Sequence, residues 1–277
     1  MLFTTTEYCR STGIGTKLFA WSRAKIFEHD YKAFMLQQHW ISIRGAAVTR
    51  GGIDYRKVFG KIYLFNNFIN DTYEMNPLLF ALRYRNSCQK IMVSNLQEAR
   101  LNIKSDNKLV VFKWNTEHFF TDFELYRKLI TDSIYRITRK PITNHIVLKE
   151  PFIGINVRLG NDFVEQDATQ KGYRKTAIQW FLDHISEVRK LHGNLPIYVV
   201  SDGTHKQLLD FTKFDNVVLV NNSRAMEDLL LLSKASVFMG SGNSTFSAWA
   251  SFLGNMPTYS SKETPFSSFK LSNTYEL

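Results

Sequence analysis

The chain is poor in cysteine. Cys9 and Cys88 are the only two in 277 residues. That count excludes a disulfide framework and fits a reduced compartment with two structural thiols. No apolar stretch approaches the roughly 20 residues of a membrane span. The opening residues, MLFTTTEYCR, show no basic region followed by an apolar run, so no secretory signal is expected. Internal repeats and low-complexity tracts are missing. So is a loop of the G-x-x-x-x-G-K-[ST] kind, which argues against a nucleotide-dependent phosphotransferase or sulfotransferase. His29, His39, His118, His145, His184, His192 and His205 show no metal-ligand spacing, and no Cys–His or D-x-D pair stands out. These residues call for no metal and no resident cofactor.

What the chain does carry is positive charge. Its 35 Lys and Arg against 25 Asp and Glu give a net charge of +10, with a pI near 9.5. That balance favours anionic partners: nucleic acid, lipid head groups or phosphorylated substrates. The basic residues are scattered, however. Only YRKVFGK, RYRNSCQK and YRITRK are locally dense. None resembles a zinc finger, a basic zipper or the aromatic RNA-binding signature. The expectation is no nucleic-acid partner. A phosphorylated substrate, an acidic glycan or peripheral contact with an anionic membrane surface fits better. The expected location is the cytoplasm, including the inner face of a membrane.

With 44% hydrophobic and 22% charged residues the chain is globular, and its length suits one large domain or two ordinary ones. In the first half, TKLFAWSRAKIFEHDY places Leu18, Phe19, Ser22 and Ile26 near helical spacing. KIYLFNNF and KLVVFKW read as strands. TDFELYRKLITDSIYRITRK reads as a helix capped by Asp122, with a stripe of Phe123, Tyr126, Leu129, Ile130, Ser133, Ile134 and Ile137. The second half is cleaner. FIGINV, PIYVVSD, NVVLVNN, SVFMGS and the shorter MPTYSS read as strands. They alternate with helices over YRKTAIQWFLDHISEVRKLHG, THKQLLDFTK, AMEDLLLLSKA and NSTFSAWASFLG. The first of these helices carries Ala177, Trp180, Phe181, His184, Val188 and Leu191 on one face and stops at Gly193. Continuous apolar strands alternating with helices indicate parallel sheets covered on both faces. The fold class is therefore α/β in two domains, with the boundary near residues 141 to 150, between Pro141 and Pro151.

In an open parallel sheet, ligands bind at the carboxyl ends of the strands. In the second half those ends carry Arg158, Gly160, Asn161 and Asp162, then Ser201, Asp202 and Gly203. Next come Asn221, Asn222, Ser223 and Arg224, and finally Gly240, Ser241, Gly242, Asn243, Ser244 and Thr245. Four consecutive polar ends describe a rim for a polar ligand. The last is the most informative. GSGNSTFSAWASFLG leads a buried strand through a glycine turn into a helix, whose first N–H groups and dipole attract an anion. Plain helix capping explains the same Asn and Ser equally well. Arg158 on a neighbouring strand end tilts the balance toward a diphosphate cradle. Asp202 suits a guanine or a ribose, or else a turn and N-cap in SDGT. Glu227 and Asp228, opening a helix, read as dipole partners. Asp162, Glu165 and Asp167 follow Arg158 closely enough for one of them to act as a general base. Each of them also suits a solvated loop.

GINVRLGND resembles the H-x-R-x-G-D/N signature of the GDP-fucose fucosyltransferase superfamily. MEDLLLLSKASVFMGSGNSTFSAWASFLG resembles that superfamily's later motif, where an aspartate-leucine helix and a strand precede N-S-T-F-S-x-W. TGIGTKLFAWSRAKIF resembles the glycine-rich opening of the α-1,2-fucosyltransferases. The resemblance implies a glycosyltransferase B-type fold of two Rossmann-like domains. Residues 1–147 would form the acceptor-side domain and residues 148–277 the nucleotide-sugar domain. It implies inverting, metal-independent transfer of fucose from GDP-fucose to a glycan hydroxyl, as in the making of a surface polysaccharide or oligosaccharide precursor. Arg158 would hold the β-phosphate. Asn243, Ser244, Thr245 and Phe246 would line the diphosphate, and Asp202 would approach the nucleoside. Asn156 stands where the family has histidine, Gly160 follows the arginine, and Asn161 takes the aspartate position. Gly13 and Gly15 match the N-terminal glycine loop, but Thr16 and Lys17 replace its Asn-Gln pair. These departures leave open a different nucleotide-sugar, or a relative that binds without turnover.

Overall fold

Threonine opens the first sheet. β1 (Leu2–Thr6) is buried along Phe3 to Thr6, because β-branched threonine fits a pleated surface and its hydroxyl can find a backbone acceptor. Thr5 Oγ1 donates to the Leu36 carbonyl at 3.1 Å. The structure, a computed structural model, describes residues 1–7, 13–36, 49–50, 53–54, 88–103, 107–113, 119–137, 148–160, 163–164, 173–221 and 225–277. The strand expected over KIYLFNNF lies outside the described residues. The chain divides into two compact units, Met1–Arg44 with Ile62–Lys140, and Gly45–Lys61 with Pro141–Leu277.

In the first unit, α1 (Ile14–Tyr31) follows β1. Leu18 through Phe27 are all buried, so the helix is covered on every side rather than along the single stripe its spacing suggests. β2 (Phe34–Met35) comes next in this unit. Two short antiparallel strands of the second unit, β3 (Thr49–Arg50) and β4 (Ile53–Asp54), intervene in the chain. β5 (Gln89–Val93), α2 (Leu96–Leu101) and β6 (Lys108–Phe112) then complete a parallel sheet in the order β2-β1-β6-β5. α2 starts at Asn95, whose side chain accepts from Glu98 N at 2.8 Å, while Glu98 accepts from Ser94 N at 2.6 Å. A 3-10 turn at Glu124–Tyr126 leads into α3 (Arg127–Ile137). Asp122 does not cap it: the residue before the turn is Phe123, in helical conformation. Phe123 is needed in the core instead. It packs with Phe120 against Phe19 of α1, at centroid distances of 6.1 and 4.8 Å.

The second unit is built on β7 (Ile153–Val157). A short pair, β8 (Phe163–Val164) and β9 (Tyr173–Arg174), follows it. Then come α4 (Ile178–His192), β10 (Ile197–Ser201), a 3-10 helix over His205–Lys213, β11 (Val217–Leu219) and α5 (Ala225–Leu232). β12 (Val237–Gly240), α6 (Thr245–Gly254), β13 (Thr258–Ser260) and β14 (Thr274–Glu276) finish the chain. The sheet is parallel throughout, in the order β11-β10-β7-β12-β13-β14.

Strand alternation divides the labour in β7. Ile153, Ile155 and Val157 enter one core with Phe181, Ile185 and Val188 of α4. Each such side chain contributes roughly 1.5–3 kcal/mol by leaving water. Gly154 and Asn156 face the other way. A Cβ on Gly154 would lie 3.0 Å from Ala235 Cβ and 3.1 Å from Leu232 Cδ2. The buried face of α4 is turned from the one its spacing suggests: Ile185 is inside, and Leu191 is 61% exposed. Gly193, at φ 94°, ends the helix as expected.

Candidate active site

Strand order creates the site. From β7 the chain builds outward to β10 and β11, then returns to place β12 on the opposite side of β7. Such a reversal opens a crevice at the carboxyl ends of the two central strands. Arg158 leaves β7 there, Asp202 leaves β10, and Ser241 to Ser244 leave β12.

These residues are tied to one another. Arg158 Nη1 donates to Asp202 Oδ2, and Leu159 N donates to Asp202 Oδ1 at 2.7 Å. The two side chains are only 14% and 13% exposed. Arg158 N donates to Ser241 Oγ at 2.9 Å, and Ser241 Oγ donates to the Asn156 carbonyl at 3.2 Å. Both the backbone and the guanidinium of Arg158 are therefore held before any ligand arrives. Its first anionic partner is the carboxylate of Asp202. A guanidinium offers five N–H donors in a planar fork, so it can bridge one carboxylate and a second anion.

Asn156 lies beneath the crevice and is 4% exposed. Its Nδ2 donates to the Val200 carbonyl at 3.4 Å, and its Oδ1 accepts from Ser247 Oγ at 2.7 Å. It braces β7 against β10 and α6. Amide chemistry suits that task because one side chain donates on one flank and accepts on the other.

The glycine turn after β12 is a close-packed joint. A Cβ on Gly242 would sit 1.5 Å from the Thr264 carbonyl oxygen. Asn243 follows at φ 58°. Ser244 is the N-cap of α6, and its Oγ accepts from Ser247 N at 3.3 Å. The capping reading of Ser244 is thus realised, and the helix proper starts at Thr245. The N–H groups of Thr245 and Phe246 belong to the first turn, which has no helical acceptor to offer them. Both residues are half-buried.

Asp202 is not the N-cap of the following 3-10 helix. Thr204 is, in a capping box with Gln207. Glu227 and Asp228 do stand in the first turn of α5. Gly160 is buried just beyond Arg158. Asn161, Asp162, Glu165 and Asp167 lie outside the described residues, as do Asn222, Ser223 and Arg224. Gly13 and Gly15 open α1 in the other unit, where Gly13 is an extended N-cap with no side-chain hydrogen bond. Ser241, Ser247, Thr176 and Thr264 also join the architecture. Ser247 had a signal, three residues after a capping serine. Thr176 and Thr264 had none, because only the tertiary fold brings them together, 2.6 Å between hydroxyl oxygens. Among the described residues, no helix is long and apolar enough to cross a membrane.

The model of glycosyl transferase family 11 matches residues 96–271, well over half of the chain. No curated protein matches the chain at a significant level. Among solved structures, POFUT1 in complex with GDP aligns over 94% of this chain and 97% of its own, at 12% identity and a TM-score of 0.56. POFUT1 in complex with GDP-fucose aligns over 92% and 94%, at 12% identity and a TM-score of 0.54. A FUT1 variant of Arabidopsis thaliana in complex with GDP aligns over 94% and 70%, at 12% identity and a TM-score of 0.50. At that identity the likeness is one of fold: an α/β chain with parallel sheets.

Proposed function

The chain belongs to glycosyl transferase family 11 and is a glycosyltransferase, and from that premise we propose that it transfers fucose from GDP-fucose to a hydroxyl of a glycan, with inversion and without a metal. The observation that carries this reading is the convergence of Arg158, Asp202 and the N-terminus of α6 at the reversal of strand order. In this reading the second unit, which holds residues 148–277, is the donor domain, and the first unit is the acceptor side of a two-domain Rossmann-like fold. The location that goes with it is the cytoplasm, at or near the inner face of a membrane, where glycan precursors are assembled.

The chemistry is one displacement. The acceptor hydroxyl oxygen attacks the anomeric carbon of the sugar. Its proton passes to a carboxylate, that of Asp162, Glu165 or Asp167. The bond from the anomeric carbon to the phosphate oxygen breaks, and GDP leaves with the electron pair. Charge on the β-phosphate grows along this path. Arg158 and the first-turn amides of α6 then bind the transition state better than the ground state. Because Asp202 and Ser241 already hold Arg158, little reorganisation remains to be done at the moment of reaction. Asp202 also stands at the strand end from which a carboxylate reaches a guanine or a ribose.

Calorimetric titration of GDP, UDP, ADP and CMP into the wild type, without added metal, tests the reading. GDP is expected to bind selectively, and release of GDP from GDP-fucose is expected to follow when a glycan acceptor is supplied. Failure of all four nucleotides to bind would overturn the donor-site assignment. Selective binding of UDP would move the donor to another nucleotide-sugar.

A further inference from the structure

A buried serine inside a helix has a local acceptor within reach, the carbonyl three or four residues back. Ser233 takes that option and donates to the Leu230 carbonyl at 2.9 Å. Ser247, fully buried in the first turn of α6, does not. Its Oγ donates to Asn156 Oδ1 at 2.7 Å, 91 residues away in the chain. Its N–H is held by the cap, Ser244 Oγ, at 3.3 Å. The choice of partner ties the start of α6 to β7.

Asn156 also holds the other end of the glycine turn. Its carbonyl accepts from Ser241 N at 3.0 Å and from Ser241 Oγ at 3.2 Å. Residues 241–247, which contain Gly242 and the cap of α6, are therefore gripped at both ends by one residue. Ser241 Oγ in turn accepts from Arg158 N, so the same network reaches the arginine. The amide of Asn156 is engaged on both flanks, by Val200 and by Ser247, and the residue is turned to the protein rather than to a ligand. We infer that Asn156 and Ser247 form a clamp that fixes the first turn of α6 relative to Arg158, so that the two halves of the anion cradle keep a set separation. Both are positioning residues for a diphosphate, and the inference rests on the donor reading above.

The chemistry of the pair favours this role over simple core filling. Leucine and alanine at these positions would fill similar space, and replacing both partners of a buried hydrogen bond by apolar groups of the same shape is close to neutral for stability. What the polar pair adds is direction, because a buried network with every member satisfied specifies one arrangement. At a reacting centre that arrangement matters: a misplacement of about 1 Å costs on the order of 10²-fold in rate.

The test compares wild type, Ser247→Ala and the double variant Asn156→Leu with Ser247→Ala, using GDP and inorganic pyrophosphate as probes. Ser247→Ala leaves Asn156 Oδ1 buried without its donor. Both affinities are expected to fall about tenfold, as when a group that orients a primary ligand is removed, and the melting temperature should fall as well. The double variant removes the stranded acceptor. Its melting temperature should return toward that of the wild type, while both affinities stay low. Affinities that recover with the melting temperature would overturn the clamp, and so would affinities within about twofold of wild type in Ser247→Ala. Hydrogen exchange of residues 244–248 reads the clamp without any ligand. Their amides should exchange about fivefold faster in both variants, as expected for loss of one buried hydrogen bond. Unchanged exchange would overturn the clamp. If the wild type binds neither GDP nor pyrophosphate, the donor reading fails, and hydrogen exchange still decides for or against the clamp.

Discussion

Two arginine–aspartate pairs among the described residues look alike on paper and differ in consequence. Arg158 meets Asp202 at the ends of β7 and β10, with both side chains less than 15% exposed. Arg100 meets Asp30 at 3.4 Å in the other unit, where α2 and the end of α1 come together, with side chains 49% and 21% exposed. The first pair is embedded in backbone: Leu159 N donates to the same carboxylate, and Ser241 holds the main chain of Arg158. The second is embedded in side chains. Tyr126 donates to Asp30 Oδ2 at 2.7 Å, and His29 Nδ1 lies 3.2 Å from Oδ1. In the proposed reading the first pair is a binding element, because strand ends and a helix N-terminus surround it. The same ions on a helix flank serve as a fastening.

Removing each arginine separates the two most sharply. Arg158→Ala should lower the rate of fucose transfer by about 10²- to 10³-fold, the usual loss for one preorganised charge-stabilising group. It leaves Asp202 without its cation, and GDP affinity should fall with the rate. Arg100→Ala should leave kcat within about twofold and shift stability by at most about 1 kcal/mol, as exposed pairs do. Steady-state kinetics with a thermal melt on each variant makes the comparison. Near-normal turnover in Arg158→Ala would erase the distinction between the pairs. Asp202→Asn ranks next. The amide keeps an acceptor for Leu159 N but loses the charge that orients the guanidinium. A loss of about tenfold in kcat/KM is expected, as for other groups that orient a primary ligand.

Gly242→Ala sharpens the contrast from the backbone side. The added carbon collides with the carbonyl of buried Thr264, and a backbone carbonyl cannot step aside as a flexible side chain can. A loss of about 1–3 kcal/mol is expected, in the range of overpacked sites, readable as a lowered urea midpoint. Its activity should fall with it, because the displaced turn carries the cap of α6.

Much of the second unit was legible in the sequence for a physical reason. Its central strands are buried on both faces, so FIGINV and SVFMGS stand out as unbroken apolar runs between helices, and motif spacing places Arg158 and Ser244 at their ends. The first unit was harder. β1 is threonine-rich, β5 begins with exposed Gln89 and Lys90, and α1 is covered on all sides, so alternation and stripe are both blurred. β14 escaped because three residues at a sheet edge carry almost no pattern. The partner of Arg158 was hidden differently. Asp202 is 44 residues away in the chain, and only the parallel register of β7 and β10 brings them together. The Asp122 cap and the Leu191 face failed because tertiary packing of Phe123 and Ile185 overrode local preference.

The smallest effect belongs to Asp30, and its sign follows from linkage. Burial pushes the carboxyl up, but the Tyr126 hydroxyl, His29 and Arg100 together hold it below its ordinary value. A folded-state pKa below the unfolded one stabilises the fold above the unfolded pKa of about 3.9. That contribution is lost as pH falls through the folded value. Tyr126 is displaced the other way, raised by its bond to Asp30 and then by burial. Its contribution is present below the unfolded pKa of about 10 and lost as pH rises through the folded value. The wild type should therefore exceed Asp30→Asn by at most about 1 kcal/mol near neutrality. The gap should close as pH falls through the lowered folded value of Asp30, and again in strong alkali. Urea midpoints at acid, neutral and alkaline pH measure it. A constant gap across that range would assign the effect of Asp30 to packing rather than charge.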